Sequence, residues 1–297
     1  MKKITLIILL LFCQTSFGQN EGLLQRLRAI DNSGTTFFNV DGINFTNQNI
    51  SSEFNEKNLK KAYRKNKIKK GDIKEISKLL NLENYKVIKK EIFENGLTSI
   101  SVNYFVKNND NKISVFWFGY YNKDNPEFEK KMIHLIINDQ IPKTCFNSMT
   151  TDLVNFVGRE IELGGNCNWT NINNIQCPYY GQINWSLHKT KQGADLSIQN
   201  QLKATKTKKG GRIILDEETN VVFEEVPTKA KKIIYDFTGV KSVLSSISGG
   251  ENLTIYYISE EVRGYYVSCV LSFWNNDNIN PSGLTQLLEE VMSIPEK

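Results

Sequence analysis

The sequence predicts an α+β protein of two related domains, each an antiparallel sheet packed against a few helices. Three observations carry that reading. Runs rich in β-branched and aromatic residues alternate with occasional amphipathic stretches, the mixture from which sheets covered by helices are built. The 297 residues suffice for two domains of ordinary size. One layout of strand, turn, strand, Asn-Pro and helix is also written twice, over residues 97–137 and 253–292, with Pro126 29 residues after Leu97 and Pro281 28 residues after Leu253.

Taken in order, residues 1–18 read as a secretory signal peptide. Lys2 and Lys3 precede an apolar run from Ile4 to Phe12, and Ser16 and Gly18 are the small residues that cleavage before Gln19 needs. The run is far shorter than the roughly 20 residues of a membrane span. The first domain is then expected over residues 19–142. Leu23, Leu24, Leu27 and Ile30 share one face of an opening helix, and Thr35 to Phe45 reads as a strand or hairpin turning at Asp41-Gly42. A helix from Glu53 to Lys70 should turn Phe54, Leu59 and Tyr63 inward. Another, capped by Asp72, should bury Ile73, Ile76, Leu79 and Leu80. Tyr85 to Ile92 leads as a strand into the first repeated unit, where Leu97–Val106 and Ile113–Tyr121 pair and Asn125-Pro126 starts a helix bearing Phe128, Met132, Leu135 and Ile136.

The second domain is expected over residues 143–297. Asp152–Phe156 reads as a short helix, Gly158–Leu163 as a strand, and residues 164–181 as a long Asn-rich loop framed by Cys167 and Cys177. Gln182–His188 and Ala194–Ala204 read as strands. Arg212–Leu215, Val221–Val226 and Lys232–Phe237 continue a meander, and Val240, Val243, Leu244 and Ile247 mark a helix over residues 238–247. The chain closes on the second unit: strands Leu253–Ile258 and Tyr265–Trp274, then a helix begun at Asn280-Pro281 and striped with Leu284, Leu287, Leu288, Val291 and Met292. Meander, helix, hairpin and terminal helix together resemble the PsbP/Mog1 type of α+β sandwich in element order, a likeness that implies fold and no activity.

Charge excludes little by itself. Removal of Lys2 and Lys3 with the leader lowers the formal charge from +5 to +3, too small to demand a polyanionic partner. The distribution is uneven, however: Lys57, Lys60, Lys61, Arg64, Lys65, Lys67, Lys69 and Lys70 place eight basic residues in fourteen. Such a run is either a solvated helix face or an anion-binding surface. Nucleic acid would require stacking aromatics or a recognition helix beside the charge, and no nucleic-acid partner is expected.

Four cysteines follow the leader, Cys145, Cys167, Cys177 and Cys269, an even number suited to an oxidising compartment. A bridge from Cys167 to Cys177 would pin the Asn-rich loop and contribute about 2 to 3 kcal/mol. With no Cys-X-X-Cys pair and no Gly-rich phosphate loop, no metal and no cofactor is expected. Nucleophile motifs such as Gly-X-Ser-X-Gly are missing as well. The function these features fit is an exported, periplasmic or extracellular, non-enzymatic binding protein. Its partner would be a protein or a glycan met through the 164–181 loop, with Trp169, Tyr179, Tyr180 and Trp185 as contact rings. The alternative is a secreted hydrolase using His188 or His134, which requires a cleft holding one of these rings beside a carboxylate and a hydroxyl or thiol.

Overall fold

A computed structural model describes residues 22–163, 166–207, 211–237 and 250–295. The leader and the 238–247 helix expected from the sequence lie outside the described residues. The first sheet comprises β1 (Arg28–Asn32), β2 (Thr35–Val40), β3 (Ile43–Glu53), β4 (Asn84–Ile92), β5 (Thr98–Lys107) and β6 (Lys112–Tyr121), in the order β1-β2-β3-β6-β5-β4. Helix α1 (Glu56–Lys65) lies between β3 and β4, and α2 (Pro126–Ile137) follows β6. Asn125 caps α2 by accepting from the Phe128 N–H, with Pro126 in the first turn, as its sequence requires. The hairpin at Asp41-Gly42 is a two-residue turn with φ of 51° and 76°, the twist-compatible geometry that a glycine permits.

A small hairpin of β7 (Leu153–Phe156) and β8 (Arg159–Glu162) opens the second half. The second large sheet comprises β9 (Asn168–Asn171), β10 (Asn174–Cys177), β11 (Gly181–His188), β12 (Arg212–Phe223), β13 (Val226–Asp236), β14 (Asn252–Val262), β15 (Tyr265–Trp274) and β16 (Met292–Ser293). Its order is β16-β12-β13-β14-β15-β11-β10-β9. Helix α3 (Lys191–Lys206) lies between β11 and β12, and the single turn α4 (Gln286–Glu289) precedes β16. In each large sheet a three-stranded meander leads to a helix, and a second meander then returns until its last strand pairs with the third: β6 with β3, β15 with β11. β12 and β16 are additions to the second sheet.

Each sheet is covered on both faces. In the first, α2 sets Met132 and Ile133 against Tyr104, Phe116 and Phe118, while α1 sets Leu59 and Ala62 against Phe105, Ile113 and Val115. In the second, Ile198 of α3 joins Ile233, Ile255 and Tyr257; on the other face Trp185, Cys269 and Leu271 meet Phe156, Ile161 and Leu288. Among the described residues no helix is long and apolar enough to cross a membrane.

Several elements depart from the sequence reading, and in most a tertiary pairing overrides a local pattern. The opening helix is confined to residues 22–26, because Ala29 pairs with Phe38 of β2. The lysine-rich helix is shortened to Glu56–Lys65, with Asn55 as its cap. No helix forms after Asp72: Glu75 instead forms an isolated antiparallel bridge with Lys86 of β4, leaving Ile73 82% and Ile76 68% exposed. Residues 153–156 are a strand rather than a helix, paired with β8. The Cys-framed stretch is the β9-β10 hairpin rather than a loop, turned at Asn173, whose φ is 51°. Ala194–Ala204 is helical, since Thr190 caps the Gly193 N–H and Ala194, Ile198 and Thr205 recur on the buried side. The expected three-strand meander is two long strands joined at Glu224-Glu225, with φ of 48° and 70°. The second Asn-Pro start makes a turn instead of a helix, the Asn280 N–H donating to the Leu284 carbonyl and Gly283 adopting φ of 84°.

Candidate ligand-binding cleft

Strand alternation sends Phe45, Phe118 and Tyr120 to the α2 side of the first sheet, so their neighbours face the other way. Register then aligns those neighbours. Asn39 pairs with Asn44, Asn44 with Gly119 and Ser101 with Gly119, which lays a row of small polar residues across β2, β3, β6 and β5. Two residues from Gly119, Trp117 stands on the same face. Its indole lies across the glycine: a Cβ at residue 119 would come 2.7 Å from Trp117 Cη2 and 3.0 Å from Cζ2. The indole N–H donates to Ser101 Oγ, fixing the ring in that pose. Gly119 therefore makes a seat for a flat aromatic surface.

This face is the floor of an open cleft of about 800 Å³ between the two sheets. The opposing wall carries Leu196, Ser197, Asn200 and Gln201 of α3 with Asn184 and Ser186 of β11. Tyr121, Lys123, Asp124 and Glu127 line the cleft between β6 and the first turn of α2. Besides these charged groups and apolar surface, the lining holds the amides Asn44, Asn184, Asn200 and Gln201 and the hydroxyls of Ser99 and Ser101, which donate and accept without net charge. Asn39 is only 3% exposed; its Nδ2 donates to Asn44 Oδ1 at 2.9 Å, while its own Oδ1 has no protein partner among the described residues. A buried amide oxygen in that condition costs free energy until something donates to it.

The junction of the halves is built around Asp41. Its carboxylate accepts from Arg26 Nε at 2.8 Å and Nη2 at 2.9 Å and from the Lys189 N–H at 2.8 Å, and the Asp41 N–H donates to the Leu187 carbonyl at 3.0 Å. His188 lies behind it, 2% exposed, with Nε2 at 2.8 Å from Ser268 Oγ, which in turn donates to Ser197 Oγ at 3.3 Å. Burial holds the imidazole down at about 4, the Asp41 charge partly opposing and Arg26 assisting, so the ring is neutral at pH 7. Gly42 is required beside it: a Cβ there would meet His188 Cε1 at 2.9 Å, on a backbone already at φ of 76°.

Apart from His188, the residues singled out from the sequence fall elsewhere. Cys167 and Cys177 are joined by a disulfide, lying opposite each other because Asn168 pairs with Gln176. Cys145 and Cys269 are free thiols, both buried. Trp185 is 3% exposed in the second core, its ring 5.1 Å from that of Phe156. Trp169 and Tyr180 rest half-buried on the same core, and the Trp169 N–H donates to the Ser148 carbonyl. Tyr179 alone of the four rings is well exposed, at 61%. His134 is half-buried on α2, away from the cleft lining.

No protein-family model, curated protein or solved structure matches the chain. The cleft is thus read from its own chemistry. Its hydroxyl network meets one requirement of the hydrolase reading, since His188 has a serine in reach. The carboxylate requirement is served differently: Asp41 is occupied by Arg26 and Lys189, and His188 Nδ1 has no hydrogen-bond partner among the described residues. The sequence reading missed the floor residues because each is an ordinary strand position. Only the four-strand register makes Asn39, Asn44, Gly119 and Ser101 a set.

Proposed function

We propose that the chain is an exported binding protein whose cleft holds a neutral, hydroxyl-rich ligand such as an oligosaccharide. The observation that carries this reading is the Trp117 indole seated on Gly119 beside a row of amides and serines. A sugar offers an apolar ring face to stack on such an indole and hydroxyls at its edge to pair with the amides and serines of the lining. Calorimetry against a panel of soluble oligosaccharides tests it. At least one should bind, and Trp117→Ala should weaken it at least tenfold, about 1.4 kcal/mol; equal affinity for the variant would sink the proposal.

Contact with a protein partner through the β10-β11 turn beside the disulfide is a second reading, favoured by the 61% exposure of Tyr179 at a φ of 67°. Pull-down with Tyr179→Ala that recovers unchanged partners would count against it. Export is supported by the disulfide and the leader-like N-terminus, and predicts a mature chain beginning at Gln19 by mass spectrometry. We also infer that the two large sheets descend from one duplicated unit and form two domains. Their common path and the division of the apolar clusters between residues 146 and 154 support this reading. Residues 150–297 expressed alone should then unfold cooperatively; a gradual, non-cooperative melt would argue for one inseparable fold.

A further inference from the structure

The lysine-rich segment has no part in the cleft, yet it borders a separate concavity of about 880 Å³ along α1. The floor is apolar: Phe54, Leu59, Tyr63, Ile68 and Tyr85 line it. Phe54 and Tyr85 stack with centroids 6.2 Å apart, and Tyr63 meets Phe105 edge-on at 4.6 Å, so the aromatic walls are braced. All three wall rings, Phe54, Tyr63 and Tyr85, remain half-exposed, whereas Leu59 and Ile68 are buried. Burial pushes the Tyr63 phenol up to about 12, the mark of a poorly hydrated wall.

The rim is cationic. Lys60, Arg64, Lys69, Lys70 and Lys74 border the same space, and Lys74 Nζ sits 5.5 Å from the Tyr63 ring centroid. The two acids beside them are engaged: Glu56 with Lys60 at 2.7 Å and Glu83 with Lys107 at 3.2 Å. A merely solvated helix face would set its lysines over polar surface. Here Lys74 has Asp72 nearby and Lys60 has Glu56, but among the described residues Arg64, Lys69 and Lys70 have no side-chain ion pair, and the surface below is apolar.

We propose that this groove binds a single-chain amphipathic anion, of the chemistry of a medium- or long-chain fatty acid anion. The acyl chain lies along Phe54, Tyr63 and Tyr85 and the carboxylate among Arg64, Lys69 and Lys70. A small polar anion would leave the floor unused, and a neutral alkane would leave the rim unused. An aromatic nucleotide would need a ring free to stack, and these rings are already engaged, Phe54 with Tyr85 and Tyr63 with Phe105.

The test is calorimetric titration of the full mature chain with decanoate below its micelle concentration. Butyrate, decan-1-ol, AMP and phosphatidylglycerol vesicles serve as comparators. Decanoate should bind with one-to-one stoichiometry, at least tenfold more tightly than decan-1-ol, butyrate or AMP, and more weakly as salt rises. The surface double variant Arg64→Glu/Lys70→Glu, with circular dichroism unchanged, should lose at least tenfold. Tyr63→Ala should lose affinity for decanoate without altering oligosaccharide binding at Trp117. No decanoate binding, equal binding of decan-1-ol, tighter binding of AMP, binding only to vesicles, or indifference to the double variant would each overturn the proposal.

Discussion

Beneath α2, Lys86 Nζ lies 3.3 Å from Glu129 Oε2, with the lysine side chain 7% exposed and the glutamate fully enclosed. Tyr104 donates to the same oxygen at 2.7 Å, and burial together with that hydrogen bond holds its phenol far above the ordinary range. In the second half the edge at β9, which matches β1 rather than β4, is secured instead by a disulfide from Cys177 of β10 to Cys167 just before β9. Two sheets of one path thus secure themselves by opposite means. The ion pair acts in the folded state and fails badly if halved, since a stranded buried charge has no water to turn to. The covalent link acts mainly on the unfolded chain, by closing a loop, so its loss is milder and leaves no orphaned charge.

Breaking each device should expose that asymmetry. Glu129→Ala, which strands Lys86, should cost about 3 to 5 kcal/mol in denaturant titration. The double replacement Glu129→Leu/Lys86→Met should recover much of that loss, and a double variant as unstable as the single would show that the pair is not the cause. Next comes acid. Folding disfavours the charged form of His188, so its contribution is complete above the unfolded value of about 6.5 and is lost as pH falls through about 4. The stability lost over that window should approach about 3 kcal/mol, and His188→Gln should flatten it; an unchanged slope in the variant would assign the acid sensitivity elsewhere. Replacing both bridged cysteines by serine should cost about 2 to 3 kcal/mol, all of it in the second half. Proteolysis that opens the β9-β10 hairpin before the first sheet would confirm the location. The smallest effect belongs to the repeated Asn-Pro pair. Asn125→Ala removes a helix cap worth about 1 kcal/mol, whereas Asn280→Ala, at a turn, should cost measurably less.

That last pair also shows what was legible in the sequence. Asn125-Pro126 and Asn280-Pro281 carry the same helix-start signal, and only the first starts a helix of useful length. In the second, Gly283 two residues on takes a left-handed conformation and bends the chain into a turn. The hairpins were readable because two-residue turns such as Asp41-Gly42 and Arg263-Gly264 state their geometry locally. Helix α3 was misread because its buried residues, Ala194, Ile198 and Thr205, are sparse and include only one large aliphatic. The 72–80 segment has a true helical period, but two backbone hydrogen bonds between Glu75 and Lys86 outcompete it. The disulfide could be inferred from spacing. The cleft could not, because its floor is a row across strands distant in sequence and its wall belongs to the other half.

The bridge at Glu75 has one more consequence. β4 is the outermost strand of the first sheet, and an uncovered outer strand is a template on which a second chain can pair. Glu75 takes up both backbone groups of Lys86 near the start of the strand, and the Asp72 carboxylate reaches the Lys89 side chain at 3.1 Å, so the outer edge is not an unbroken row of free amides and carbonyls. The segment thereby covers part of that edge against pairing with a second chain, a protection against aggregation written into a stretch that forms no regular element of its own.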